Sequence, residues 1–311
     1  MTALADAPYH ADVAAGPPAA RAFWATTADG VRIRVAAWTE GTTGTVLLCP
    51  GRTEYIEKYS DAARHLAARG FATVAIDFRG QGLSPRPHHD RRVGHVNGFK
   101  EFQNDVDAAL ALCANLDLPR PWHILGHSMG GLIALRATMR LSAFERAVFS
   151  APMWGLQVEP HRRAVAWGLS FLGSTFGFGE RLTPNSGKVA DPAGAPFEGN
   201  LLTRDAEMFA WMKRQIATHP DLALGGPSLG WLWAALREMH ACARLPAPDL
   251  PALTLLGTEE AIVSPDAIHV RMGSWPRGRL EILDGARHEA LMEDAPLRAD
   301  LYDRIAAHLR G

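Results

Sequence analysis

Short, almost wholly apolar runs recur along this chain, separated by stretches whose apolar residues fall three and four apart. Residues 45–49, 73–76 and 122–125 are runs of the first kind and predict buried strands, and 147–150, 253–256 and 280–283 continue the strand rhythm. Ile56, Tyr59, Ala63 and Leu66, with Gly70 as a C-terminal cap, predict a helix, as do Phe102, Val106, Ala109, Leu110 and Cys113. Residues 132–141 and 297–309 read the same way, and Ser264-Pro265 opens another helix with serine as N-cap and proline in the first turn. Ahead of these, residues 23–27 and 31–38 flank Asp29-Gly30, a hairpin signal. In its second arm Val31, Ile33 and Val35 alternate with Arg32 and Arg34, which predicts a half-solvated antiparallel edge. Strands and helices in alternation predict an α/β protein whose mostly parallel sheet is covered on both faces.

The rhythm breaks at Pro152. From there to about residue 245 the pattern is helical over 164–172, 206–216 and 229–239, with a Gly/Pro-rich connection over 173–199. Five of the nine tryptophans fall in this part, so it is a helical insertion with its own apolar layer rather than a loop. The first twenty residues, rich in Ala and Pro, predict a flexible N-terminal tail. The expected division is a tail over 1–20, a core over 21–151 and 246–311, and an insertion over 152–245. With 311 residues, 47% of them hydrophobic, the chain can bury a large core. Its net charge of −1 makes no electrostatic case for a nucleic acid partner. Cys49, Cys113 and Cys242 are too scattered for a disulfide framework and suit a reducing compartment. No basic segment followed by an apolar core opens the chain, and no run approaches a membrane span, so a cytoplasmic location is expected.

The chemistry is concentrated in Gly126-His127-Ser128-Met129-Gly130, a G-x-S-x-G between an apolar strand and an apolar helix. A serine on so sharp a turn crowds its neighbours two residues to either side, and only glycine avoids a clash there. Gly131 is expected to let the helix lie close to its own strand. A serine hydroxyl needs a base to take its proton and an acid to orient that base, in the chain order Ser, acid, His. Two later strand ends supply them: Gly257-Thr258-Glu259-Glu260, and Gly285-Ala286-Arg287-His288-Glu289. His288 is the base. Glu260 and Glu259 compete for the acid, with Asp266 behind them. His127, beside the nucleophile, is expected to pack or hydrogen-bond locally. The oxyanion formed on attack needs N–H donors already in place. Met129 supplies one and the loop after Cys49 the other, at Arg52. No metal-ligand pattern and no phosphate loop appears, and the His88-His89 pair is not a metal site by spacing. Cys49 is expected to pack.

Four stretches together resemble the α/β-hydrolase family, in its lysophospholipase L2-like and monoacylglycerol-lipase-like branch (serine aminopeptidase S33 type). They are residues 50–59 (Pro-Gly-Arg-Thr-Glu-Tyr-Ile-Glu-Lys-Tyr), 77–84 (Asp-Phe-Arg-Gly-Gln-Gly-Leu-Ser), the turn at 126–130, and 285–289. Within the insertion, 199–203 and 219–227 resemble that branch's cap. The resemblance implies an eight-stranded sheet flanked by helices, with a helical cap inserted after about strand six. It also implies Glu260 as the acid, where many relatives carry Asp, and no cofactor. The implied activity is hydrolysis of carboxylic esters, with lysophospholipids or monoacylglycerols as substrates and the cap touching a membrane surface, peripheral to the inner membrane. The cap aromatics suit an acyl-chain pocket, for which Trp154, Trp211 and Trp233 are candidates. The basic run 86–92 reads as a solvated loop, with contact to a phosphate headgroup as its functional alternative. Hydrolysis of other small esters, lactones or peptides stays open within the fold, and a non-catalytic binding protein is the rival of another class. Haloalkane dehalogenases and epoxide hydrolases carry Asp where Ser128 stands, which disfavours them.

Overall fold

A computed structural model of the chain describes residues 4–18, 20–184 and 194–311. Nine strands form one sheet, in the order β1-β2-β3-β5-β4-β6-β7-β8-β9. They are β1 (Ala5–Asp6), β2 (Arg21–Thr26), β3 (Arg32–Trp38), β4 (Gly44–Cys49), β5 (Phe71–Asp77), β6 (Trp122–His127), β7 (Arg146–Ser150), β8 (Ala252–Gly257) and β9 (Gly278–Leu283). From β5 onward the sheet is parallel, and β1, β2 and β3 add antiparallel pairs at one side. β4 to β8 are buried along their length, as expected of strands covered on both faces. The covering helices are α1 (Ser60–Ala67), α2 (Glu101–Asn115), α3 (Met129–Arg140), α7 (Pro265–Gly273) and α8 (Ala295–Arg310). Two apolar clusters, one around Ile124, Leu132 and Phe149 and one around Leu48, Leu125 and Tyr302, form the core.

Between β7 and β8 lie α4 (Pro160–Thr175), α5 (Ala206–Thr218) and α6 (Leu229–Ala243) and, among the described residues, no strand beyond isolated bridges. Asp205 caps α5 by accepting from the Glu207 and Met208 amides, and Ser228 caps α6 through the Trp231 amide. α4 packs on α6 through Trp167 and Trp233, whose rings meet edge to face at 5.4 Å. Residues 185–193 of the predicted 173–199 connection lie outside the described residues. No described helix is long and apolar enough to cross a membrane.

Three expectations are corrected. The sheet has nine strands rather than eight, because Ala5–Asp6 pairs antiparallel with Phe23 and Trp24. The tail over 1–20, expected to be loosely held, is tied to the fold at several points, while Asp6, Ala11 and Asp12 stay exposed. The Ala15 amide donates to Ser60 Oγ at 2.8 Å, and the Val13 carbonyl accepts from Trp211 Nε1 and Gln215 Nε2 at 3.1 and 3.0 Å. Backbone groups that find partners on the fold tie down a segment with few large apolar side chains. The third correction is Arg34, which is fully buried rather than facing water. Its Nε donates to Asp77 at 2.6 Å, and its two Nη groups donate to the Glu57 carboxylate at 2.8 Å each. That two-carboxylate clamp, with the Pro8 carbonyl at 3.0 Å, replaces the water the guanidinium has lost.

Candidate active site

The sheet order brings the chemistry to one edge. β4 and β6 are parallel neighbours with Cys49 opposite Gly126, so the loop leaving β4 runs beside the turn leaving β6. β8 and β9 are neighbours with Gly257 opposite Leu283, so the loops carrying Glu260 and His288 leave side by side. All four are carboxyl ends, where open α/β sheets place their sites.

Ser128 sits between β6 and α3 at φ 49° and ψ −119°, a strained conformation for a residue with a side chain. It is fixed by its own backbone: the Ser128 amide donates to the Ser150 carbonyl at 3.1 Å, and its carbonyl accepts from Gly131 and Met153 at 2.9 Å each. A Cβ at Gly126 would lie 2.6 Å from the Gly130 carbonyl oxygen, and one at Gly130 would drive into the Cys49 carbonyl. The flanking glycines are thus required by close backbone approach. Gly131 lies close to its own strand as expected, its Cα 2.8 Å from a Cβ built at Gly126, and it also makes room for Pro152, which a Cβ at Gly131 would meet at 2.6 Å.

Ser128 Oγ lies 2.9 Å from His288 Nε2, and His288 Nδ1 lies 2.8 Å from Glu260 Oε2. The second Glu260 oxygen accepts the Ile262 and Val263 amides at 2.7 and 3.0 Å. Burial pushes the Glu260 carboxyl up, but the His288 contact and the two amides outweigh it and hold the group below its ordinary value. It is therefore a carboxylate at neutral pH. Glu259 points elsewhere and pairs with Arg287 at 3.2 Å on the surface, and Asp266 lies in the first turn of α7. Of the competing acids only Glu260 meets His288.

The β4 loop presses its Cys49 and Pro50 carbonyls against Gly130, which sets Arg52 next to the start of α3, where Met129 is the first residue. Among the described residues neither the Arg52 nor the Met129 amide has an acceptor within the protein. Thr53 takes the left-handed backbone that turns the loop, at φ 70°. The Arg52 side chain leaves in the other direction. It donates to the Gly225 carbonyl and lies over the Trp231 ring at 5.3 Å. Burial and the neighbouring Arg86 push its guanidinium down to about 10.

The candidate pocket tryptophans do not converge. Trp154 lines two adjoining cavities of about 340 and 280 Å³ between α4, α6 and α7, neither of them lined by Ser128. Trp233 packs with Trp167 and Phe171, and Trp211 is tied to Val13. Helical spacing marks all three as layer-forming but not which layer each joins. The basic run is not a solvated loop throughout: Arg86 donates to the Gly80 and Gly82 carbonyls at 2.7 and 2.8 Å, while Arg92 pairs with Asp90 on the surface. Cys49 is buried, as expected.

A second group of charged residues lies behind the site, without a role in the reading of the residues. His127, expected to pack or bond locally, has Nδ1 3.1 Å from the Ser150 carbonyl and Nε2 3.3 Å from Glu289 and 3.6 Å from Glu54. Lys58 Nζ lies 2.5 Å from Glu54 and 2.6 Å from Glu289. All four are buried. Their signal in the sequence is adjacency, because His127 precedes Ser128, Glu289 follows His288, and Glu54 stands two residues after Arg52.

Residues 40–295 match the family described as serine aminopeptidase, S33. The chain is 29% identical over 266 residues to the probable lysophospholipase L2 of Haemophilus influenzae, covering 84% of this chain and 82% of that one. It is equally similar, at 29%, to lysophospholipase L2 of Escherichia coli strain K12, covering 82% and 76%. Among solved structures, a soluble variant of monoglyceride lipase from Saccharomyces cerevisiae, in complex with a substrate analog, superposes with a TM-score of 0.72 at 19% identity, covering 97% and 98%. That likeness is one of fold.

Proposed function

The chain belongs to the serine aminopeptidase S33 family of α/β hydrolases, and from that premise we propose that it cleaves lysophospholipids or monoacylglycerols through an acyl-enzyme. The observation that carries the reading is the unbroken line from Ser128 Oγ through His288 to Glu260, at 2.9 and 2.8 Å. Ser128 Oγ attacks the ester carbonyl while His288 Nε2 takes its proton, and Glu260 holds the imidazole by Nδ1–H and balances the imidazolium. The Arg52 and Met129 amides receive the oxyanion. Collapse expels the alcohol, which leaves with the proton from His288. Water then attacks the acyl-enzyme by the same proton route, releasing the fatty acid and restoring Ser128.

The names of the relatives support a lipid ester, and so does the insertion. We read residues 152–245 as a cap over Ser128. Its outer side carries Val165 at 65% and Phe176 at 67% exposure, together with Phe171, Leu172 and Phe178. Arg162 and Arg163 on α4, and Arg181 just after it, accompany them. Apolar side chains in water beside cations suit the surface of a membrane or micelle, which is where such substrates reside. That surface supports a location at the periphery of a membrane as part of this reading.

The test is direct. A fluorophosphonate probe should label the native protein and fail to label Ser128→Ala. A panel of p-nitrophenyl butyrate, monoacylglycerol, lysophosphatidylcholine and an aminoacyl p-nitroanilide should show turnover of the esters and little of the anilide. Labelling that survives the substitution, or an anilide preferred to every ester, overturns the reading.

A further inference from the structure

Two carboxylates, one ammonium and one imidazole are sealed together behind the proposed catalytic groups. Burying charge is expensive unless every member finds a partner, so a group of four in a chain with water close at hand calls for a reason. The pairing is nearly complete, with His127 Nε2 held within ion-pair range of two carboxylates but without a hydrogen bond. Lys58 Nζ reaches both Glu54 and Glu289. Glu54 in turn accepts from the Tyr59 hydroxyl and from the Gly51 amide. Both ring nitrogens of His127 face only acceptors: the Ser150 carbonyl on one side, and Glu289 with Glu54 on the other. Burial works against a charged ring, but Glu289 and Glu54 outweigh it and favour the form that carries both protons. The group then sums to zero charge, two negative and two positive. The three acidic and imidazole members lie close enough together to suggest a metal site, but the Lys58 ammonium already supplies the cation there.

Three of the four members are also tethered to a working segment. His127 is the residue before Ser128, and its ring centroid stands 4.8 Å from that of His288. Glu289 follows His288 directly. Glu54 closes the β4 loop on itself by taking the Gly51 amide, and a Cβ at Gly51 would sit 2.8 Å from that carboxylate, so the loop is drawn tightly around it. Resting on the proposed ester hydrolysis, we propose that Glu54, supported by Lys58, His127 and Glu289, is a positioning residue that presets the Arg52 amide for the oxyanion. Nothing in this group touches the substrate. Its effect passes through the backbone of residues 51 and 52, and it belongs to the transition state because only there does the carbonyl oxygen need that amide.

The experiment compares the native protein with Glu54→Gln and Tyr59→Phe. The readouts are kcat and KM for p-nitrophenyl butyrate and the inhibition constant of an alkylboronic acid, which mimics the tetrahedral oxyanion on Ser128. Outright loss of an oxyanion donor costs about a hundredfold to a thousandfold in kcat, so a misplaced one should cost roughly ten to a hundredfold. Glu54→Gln should therefore lower kcat by that factor and leave KM within about twofold. Boronate affinity should weaken in step with kcat/KM. Tyr59→Phe removes one bond to the same carboxylate without touching charge and should show a smaller shift along the same line, which keeps the test alive if the glutamine variant does not fold. Native rates and native boronate affinity in the variants overturn the proposal. So does a fall in kcat with boronate affinity unchanged, the mark of a purely structural role. Failure of the native protein to label at Ser128 defeats the hydrolase reading itself, a result distinct from either.

Discussion

Ser128, His288 and Glu260 come from three separate loops, and each is held by bonds that have nothing to do with the others. The serine is pinned through its own backbone, and the glutamate by two amides of its own loop. Such independent anchoring means that removing one charge should leave the remaining geometry in place. Glu260→Gln should accordingly lower kcat by about two to four powers of ten with little change in melting temperature, because the imidazolium loses its counter-charge. Glu259→Gln breaks only a surface pair with Arg287, and its kcat should stay within about twofold of native. Steady-state kinetics on both variants decide it, and the reverse ranking would move the acid by one residue. Ser128 and His288 were legible because motif and chain order constrain them, whereas Glu260 needed the resemblance to separate it from Glu259. Arg34 was misread for a physical reason. Alternation tells which side chains share a face but not what covers that face, and its partners Glu57 and Asp77 lie 23 and 43 residues away.

At the level of elements, the strands and helices follow the apolar pattern closely, since burial on both sheet faces leaves an unmistakable run of apolar residues. β1 escaped because two residues carry no pattern at all. The acyl pocket escaped because Trp154, Trp211 and Trp233 have equal hydrophobicity and spacing but different neighbours. What the pattern of α4 does state is an excess: Val165, Leu169, Phe171 and Leu172 remain exposed on a helix that already buries a face on α6. Such a surface should bind lipid. Phe171→Asp with Leu172→Asp should abolish sedimentation with phosphatidylglycerol vesicles and slow hydrolysis of vesicle-borne lysolipid about tenfold or more, while p-nitrophenyl butyrate turnover stays near native. Equal sedimentation of variant and native protein would assign that face to something other than lipid.

Across the whole molecule, the buried ion group joins segments around residues 54, 127 and 289, so its protonation bears on the stability of the entire fold. Burial alone would lower the His127 pKa, but Glu289 and Glu54 raise it above the ordinary histidine value. The folded protein thus holds that proton more tightly than the unfolded chain, and the stability gained is full below about pH 6.5 and lost as pH rises through the folded value. Burial likewise pushes Glu289 up, and His127 with Lys58 bring it well below its usual 4.5. Its contribution is full above that value and lost as pH falls through the lower folded one. His127→Gln should consequently melt below the native protein by a margin widest near about pH 6 and shrinking toward about pH 9. Scanning calorimetry across that range checks it, and a margin that grows on the alkaline side contradicts it. None of this coupling was readable from spacing, since it depends on which loops the sheet order sets side by side. Arg52 shows where such coupling leads. Its amide is the proposed oxyanion donor, while its guanidinium is held by Gly225 and Trp231 of the inserted segment. One residue therefore links two parts of the chain, its backbone standing in the β4 loop and its side chain held by the insertion, so the seating of the one bears on the other.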